Sequence, residues 1–442
     1  AKRRWLEERL KGAAASAIPE PSIPLRPDRT TAPLSHAQER LWSIHQIEPG
    51  SPAYNQTVAL HLSGALNVPA LERSLKEIVS RHDTLRSRIV TIDGEPRQVI
   101  APSIESALPV ICLDQVSPTI REGEAQRLTN EQSQKPFELA QCPLWRMSLL
   151  RLNDTEHTLL ITLHHIVTDG WSSAILLREL ATLYNAHAAG QPSPLRDLPV
   201  QYGDFAAWQR QGQEAGALDT QLAFWTQQLQ GAPPLLELPS DRPRPRIVSD
   251  RGSVERVIVG RDLWCRIRAL SIHQGATPFM GLLAAFQTLL YRYTGQDDIV
   301  VGSAIANRRR TEFEHMIGFF ANTLVFRTDL SGDPTFLELL ERVRQVCLDA
   351  YAHQDLPFER LVEALQPDRD GNRSPLLQVM FVLQNVPRDT LQLAGLVVSV
   401  TRIDPGAASS DLSLSMTETS DALEGELRYR ADLFDPTMIR RV

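Results

Sequence analysis

The residues best placed to do chemistry lie between Ile161 and Trp171, in the order Ile-Thr-Leu-His-His-Ile-Val-Thr-Asp-Gly-Trp. His164 and His165 close an apolar run, Asp169 follows at four residues, and Gly170 opens a helical pattern. A neutral imidazole near pH 7 can accept or share a proton with a nucleophile. Side chains alternate across a strand, so a strand from Thr158 to His165 points the two histidines to opposite faces. The flanking residues are apolar on both faces and leave open which histidine meets a cavity. Glycine at 170 lets a ligand approach the backbone, and the first free N–H groups of the next helix point toward the turn. A buried Asp169 needs a cationic partner. Arg86, Arg88 and Arg146, on strands before it, are the candidates.

Other chemistries fit less well. His164, His165 and Asp169 could ligate a metal, but adjacent strand residues face apart and no further ligand cluster is near in sequence. No Gly-x-Ser-x-Gly elbow is present for a serine hydrolase. The stretch from Gly295 to Asp298 reads as a turn, since no lysine-bearing phosphate-loop pattern follows.

The elements that must position this turn fall into two mixed α/β halves. Residues 1–30 read as a charged helix and a proline-rich linker. Residues 31–190 form an N-terminal lobe. Ser35 caps a first helix, an amphipathic helix spans 69–82, and Asp93-Gly94 marks a hairpin between Leu85–Val90 and Glu95–Ile100. Strands at 144–152 and 158–165 lead to a helix at 172–188. Residues 191–250, with Trp208, Trp225 and a run of prolines, connect to a C-terminal lobe at 251–442. There, helices at 261–273, 278–293, 335–352 and 357–366 interleave with strands at 252–259, 299–305, 377–384, 395–403, 411–418 and 423–430.

Composition narrows the classes. A net charge of −7 without a basic block argues against nucleic-acid or membrane-surface binding. Cys112, Cys142, Cys265 and Cys347 form no CxxC pair, which suits a reducing cytoplasm. Apolar runs fall well short of the ~20 residues that span a bilayer. The chain starts without methionine and ends on Arg440-Arg441-Val442 as if inside a helix, so it reads as a monomeric piece of a longer polypeptide.

The His164-His165-x3-Asp169-Gly170 pattern resembles the HHxxxDG signature of the condensation domains of nonribosomal peptide synthetases. Further segments are similar to that family's other motifs, in order. They begin at Ser35-His-Ala-Gln-Glu-Arg-Leu-Trp, Arg81-His-Asp-Thr-Leu-Arg86 and Tyr202-Gly-Asp-Phe-Ala-Ala-Trp. Val301 to Arg308 with Ile317 to Leu324, His353 to Leu361 and Leu377 to Asn385 complete the series. The resemblance implies two chloramphenicol acetyltransferase-like lobes in a V, with a tunnel between them. It implies that carrier domains dock at the two tunnel ends and bring a donor acyl or peptidyl thioester and an acceptor aminoacyl thioester on phosphopantetheine arms. An adenylation domain would adjoin, and the domain itself would bind no cofactor. His165 would be the catalytic histidine, acting as a general base or by positioning the amine and stabilising the tetrahedral intermediate, with His164 as support. Asp169 would be a structural residue paired with an arginine of the second motif, which Arg86 matches. Gly170, Trp171 and Asn322 would line the substrate path. The first motif and the Asp-Gly-Trp-Ser continuation resemble domains that join an L-donor to an L-acceptor. Ala304, Asn307 and Ala321 depart from the common pattern, which usually has proline, glycine and a larger aliphatic there.

Three rival functions use related sequences. An epimerization domain shares HHxxxDG, but the first and fifth motifs here fit condensation better. A silent recruitment domain usually carries a damaged histidine motif. A freestanding acyltransferase of the His-x4-Asp kind would use His164 with Asp169, and the distant motifs do not support it.

Overall fold

The computed structural model describes residues 23–105, 107–214, 216, 218–245, 249–366, 376–384, 391–419 and 422–442. The expected N-terminal helix and the first prolines of its linker lie outside the described residues, as does Asn385 at the end of the last motif.

Two main sheets organise the chain. The five-stranded sheet runs in the order Leu396–Ile403, Asn55–Gly64, Glu156–His164, Trp145–Arg151, Val110–Cys112. Its central strand Glu156–His164 is buried from residue 157 onward, so its near-continuous apolar sequence faces protein on both sides. The six-stranded sheet runs Asn322–Asp329, Asp298–Ile305, Val379–Gln384, Leu412–Glu418, Ala422–Arg430, Gly252–Gly260. A small third sheet joins Thr31–Pro33, Glu95–Ile100 and Ser87–Ile92. Its hairpin forms where Asp93-Gly94 calls for it. Both residues have positive φ, 53° and 85°, as a tight turn between twisted strands requires. The strands Thr31–Pro33, Val110–Cys112 and Asn322–Asp329 were not expected. The first two are only 3 residues long, and the third begins inside a segment that reads as a motif.

Helix boundaries follow local chemistry. Ser35 caps His36–Ile47 with a capping box to Gln38. Val68–Arg81 buries Leu71, Leu75 and Ile78 on one face. Pro278–Thr294 ends at Gly295, with φ of 70°, which explains the turn expected there. At the end of the chain the helix is only Pro436–Ile439, and it closes before Arg440 instead of running through it.

The two cores do not divide at residue 250. Tyr202 and Phe205 of the helix Tyr202–Glu214 belong to the first core, while Trp225 and Leu229 of Asp219–Leu229 belong to the second. The connecting stretch is therefore shared between the lobes. Two pieces of the second half also cross back. Phe313, Met316, Ile317, Phe319 and Phe320 pack in the first core. Leu396–Ile403 pairs along its whole length with Asn55–Gly64 of the first sheet. Hydropathy patterning finds strands and helices but carries no record of which sheet a late strand joins.

Candidate active site

The strand expected to carry both histidines stops at His164, and His165 opens a short 3-10 turn that ends at Val167. This break separates their environments. His164 is buried between Tyr54 and Phe137, with ring centroids 6.3 and 6.0 Å away. Its Nδ1 accepts the Ile166 N–H at 3.1 Å, so the neutral ring carries its proton on Nε2. Burial pushes its pKa down to about 3, and the neighbouring His165 adds to the effect. A histidine held neutral and enclosed in this way is poorly placed to exchange protons.

His165 is the one residue from 157 to 169 that is not buried. Its backbone N–H donates to the Tyr54 carbonyl at 2.8 Å. Its Nδ1 lies 2.7 Å from the Thr168 carbonyl, which can only accept, so Nδ1 carries the proton. The lone pair is then on Nε2. Desolvation lowers the His165 pKa, the charge of Asp169 opposes this, and Arg40 pushes in the same direction as burial. The ring therefore stays neutral and basic at Nε2 around neutral pH. The edge of Phe319 packs on it, centroids 4.7 Å apart.

Asp169 is 2 % exposed and caps the helix Gly170–Ala188. Its Oδ1 accepts the Ser172 N–H at 2.7 Å, so that helix start is satisfied by the protein itself. Its Oδ2 accepts the Phe320 N–H at 3.0 Å.

The cation beside it is Arg308, at 3.3 Å, and the expected pairing with Arg86 is corrected. Arg86 closes the 3-10 turn Asp83–Arg86 and leads into the small sheet. There it donates to Asp83 at 2.6 Å and to the carbonyls of Val79, Ser80, Ala101 and Pro102. The other two candidates also lie elsewhere. Arg88 is exposed, and Arg146 donates to the Lys135 carbonyl at 2.6 Å and stacks on Phe137.

The Arg308 guanidinium is 1 % exposed. It also donates to Ser172 Oγ at 2.7 Å and to the carbonyls of Phe313 and Met316, and it lies over the Phe320 ring. Burial lowers its pKa and Asp169 counters the shift. Arg308 sits inside a segment singled out by sequence. Its separation of 139 residues from Asp169 leaves no local pattern to reveal the pair.

The remaining expected residues are placed as follows. At Gly170 an added Cβ would meet nothing within 4 Å, so the space in front of this backbone is open. Trp171 is half-buried and donates through Nε1 to the Glu314 carbonyl at 3.2 Å. Asn322 spends its amide on the protein. It donates to the carbonyls of Gln354 and Leu356 and accepts from the Phe358 N–H at 3.0 Å. It also borders a small cavity with Ala37, Phe319, Ala321 and Glu359. Asn307 has φ of 52°, a region that favours glycine. Across the lobes, Arg40 of His36–Ile47 faces Glu359 of Phe358–Leu365 at 3.7 Å. Among the described residues, no group of three His, Cys, Asp or Glu is arranged to hold a metal ion, and no helix is long and apolar enough to cross a membrane.

This geometry offers one partly buried imidazole whose Nε2 has no hydrogen-bond partner among the described residues, on a turn pinned by a buried ion pair. Comparison with known proteins agrees with it over nearly the whole chain. Residues 28–442 match the family described as "Condensation domain". One of the linear gramicidin synthase proteins of Brevibacillus parabrevis is 46% identical over 425 residues, which is 96% of this chain and 6% of that protein. The phosphinothricin tripeptide synthetase PhsC of Streptomyces viridochromogenes is 40% identical over 443 residues, 100% of this chain and 41% of the relative. The chain thus spans less than half of either. Among solved structures, the X-domain from teicoplanin biosynthesis has a TM-score of 0.86 at 30% identity, with 95% of this chain and 94% of that one covered. The first condensation domain of the calcium-dependent antibiotic synthetase, at 21% identity, shares the fold with a TM-score of 0.78, covering 93% and 94%. The chain belongs to the condensation-domain family of nonribosomal peptide synthetases, a family of peptide-bond-forming acyltransferases.

Proposed function

We propose that this domain joins a donor acyl or peptidyl thioester on an upstream carrier to the amine of an aminoacyl thioester on a downstream carrier, with L-configured donor and acceptor. The observation that carries the reading is the His165 tautomer, fixed by Thr168 so that the lone pair is on Nε2. The amine nitrogen attacks the thioester carbon, the C–S bond breaks, and the donor carrier's thiol leaves. Nε2 accepts the proton that the attacking nitrogen loses, and the resulting imidazolium can return it to the thiolate. Holding two tethered substrates at one imidazole supplies much of the rate by orientation alone.

In this reading the lobes form a V, and the arms enter a tunnel between them from two faces. Gly170 and Trp171 line the donor path, and the working protein lies in the cytoplasm beside carrier and adenylation domains. Support comes from the relatives, which are peptide synthetases many times longer or more than twice as long as this chain. The likeness to the X-domain from teicoplanin biosynthesis, which has also been solved in complex with OxyB, makes recruitment the second reading. The complete His165–Asp169–Arg308 arrangement favours catalysis over it. The test supplies the domain with two loaded carriers in deuterated buffer. Amide on the downstream carrier without deuterium at the donor α-carbon supports condensation. Deuterium without amide supports epimerization, and neither supports recruitment.

A further inference from the structure

Residues 317–320 come from the second half of the chain yet lie in the first core. Each of these four consecutive residues is held at its backbone by a different side chain of the first half. The Ile317 N–H donates to His82 Nδ1 at 3.3 Å. The Gly318 N–H donates to Ser172 Oγ at 3.1 Å, and that hydroxyl donates to the Gly318 carbonyl at 2.8 Å. Tyr202 Oη donates to the Phe319 carbonyl at 2.7 Å and takes the Ser35 hydroxyl at 2.8 Å. The Phe320 N–H donates to Asp169.

These anchors are fixed in turn. With Nδ1 accepting, His82 donates through Nε2 to Glu179 at 2.8 Å, and Arg81 pairs with the same carboxylate. At Gly318 a Cβ would lie 2.1 Å from the Tyr202 ring, so the segment cannot slide toward that ring. The segment that begins at Arg81, the Asp169–Ser172 helix start and the segment that begins at Tyr202 thus converge on these four residues, with Ser35 behind Tyr202. What the clamp presents to the catalytic turn is the ring of Phe319, edge-on to His165 at an interplanar angle of 62°.

We propose that Phe319 is a positioning residue for the reaction: the clamped ring sets the orientation of the His165 imidazole and keeps water from that side of it. The proposal rests on His165 being the working imidazole. The Nδ1 bond to Thr168 fixes one ring atom but leaves the ring free to tilt about that contact. A rigid aromatic edge on one side removes this freedom, and an imidazole aimed within a fraction of an ångström is worth a large factor in rate. The same ring makes up part of the burial that holds His165 neutral. The charged and titratable groups facing His165 are Asp169 on its own turn, His164 before it, and Arg40 of the first helix, which is itself paired with Glu359. None of them is altered by truncating Phe319, so a change in His165 titration would report the ring.

The test measures single-turnover amide formation with two loaded carriers for the wild type, Phe319→Ala and Tyr202→Phe. It also follows His165 titration by histidine-selective NMR, with the resonance assigned by its loss in His165→Ala. Tyr202→Phe keeps the packed ring and removes the hydroxyl that donates to the Phe319 carbonyl and accepts from Ser35, so it covers the case in which Phe319→Ala does not fold. We expect Phe319→Ala to slow amide formation roughly tenfold and to move the His165 titration upward as water enters. Tyr202→Phe should shift both in the same direction by less. Unmoved titration in the folded variants overturns the proposal, whether the rate falls or stays. If His165→Ala abolishes amide formation while titration is unmoved, the positioning role fails and the reading of His165 stands. If His165→Ala keeps the wild-type rate, both fail.

Discussion

Replacing Arg308 by alanine should destabilise the core that holds the active-site turn. Asp169 and Arg308 are both almost wholly removed from water. Removing one member of such a pair leaves an uncompensated buried charge, which typically costs 3–5 kcal/mol. Asp169 would keep two backbone donors, the N–H groups of Ser172 and Phe320, which places the loss near the lower end, about 3 kcal/mol. The carbonyls of Phe313 and Met316 would also lose their donor. The assay is denaturant unfolding, read as a lower midpoint at unchanged slope, in a double-mutant cycle with Asp169→Asn. Residues in one buried network couple by roughly 0.5–3 kcal/mol, and residues without shared partners add. We expect coupling above about 1 kcal/mol for Asp169 with Arg308, and additivity for Asp169 with Arg86, whose partners are Asp83 and the carbonyls of Val79, Ser80, Ala101 and Pro102. Additivity for Arg308 together with coupling for Arg86 would refute the reasoning.

Three further outcomes follow from the same geometry. His164 is held near a pKa of about 3 when folded against 6.5 in an ordinary setting, so the unfolded chain takes the proton first as pH falls. Its contribution to stability is complete above about pH 6.5 and is lost toward pH 3, by up to about 1.4 kcal/mol per unit. His164→Gln should flatten the stability curve between pH 6 and 4, and an unchanged slope would contradict the buried neutral ring. Gly170→Val should leave the melting temperature within a degree or two, because nothing lies in the way of its side chain. It should depress amide formation if a carrier arm passes there, and full activity would remove Gly170 from the substrate path. Asn322→Ala should lose about 2 kcal/mol of stability by stranding the Gln354 and Leu356 carbonyls and the Phe358 N–H. Wild-type stability would show that those bonds are replaced by water.

Much of the fold was legible because its signals are local. Ser35 and its capping box, the Asp93-Gly94 hairpin and the amphipathic face of Val68–Arg81 each depend on residues within a few positions. The turn after the histidine strand was legible too, down to the residue types. What the sequence could not show is long-range. Strand periodicity extended to His165, whereas the chain leaves the sheet at His164 and so gives the two rings different surroundings. Arg86 was the natural partner for Asp169 among nearby motifs, but the carboxylate is met by a guanidinium 139 residues away. Likewise nothing local marks Phe319 as the ring beside His165, or assigns Leu396–Ile403 to the first sheet.

In the proposed reaction, amide formation turns on a single imidazole with its lone pair on Nε2. That role is tested most directly by single-turnover amide formation between two loaded carriers, comparing wild type with His165→Ala. Loss of a general base typically costs 10²–10⁴-fold, and the side chain contributes one hydrogen bond to its own turn. We therefore predict a fall of at least about a hundredfold with an unchanged unfolding transition, and amide formation at the wild-type rate would contradict the role of His165.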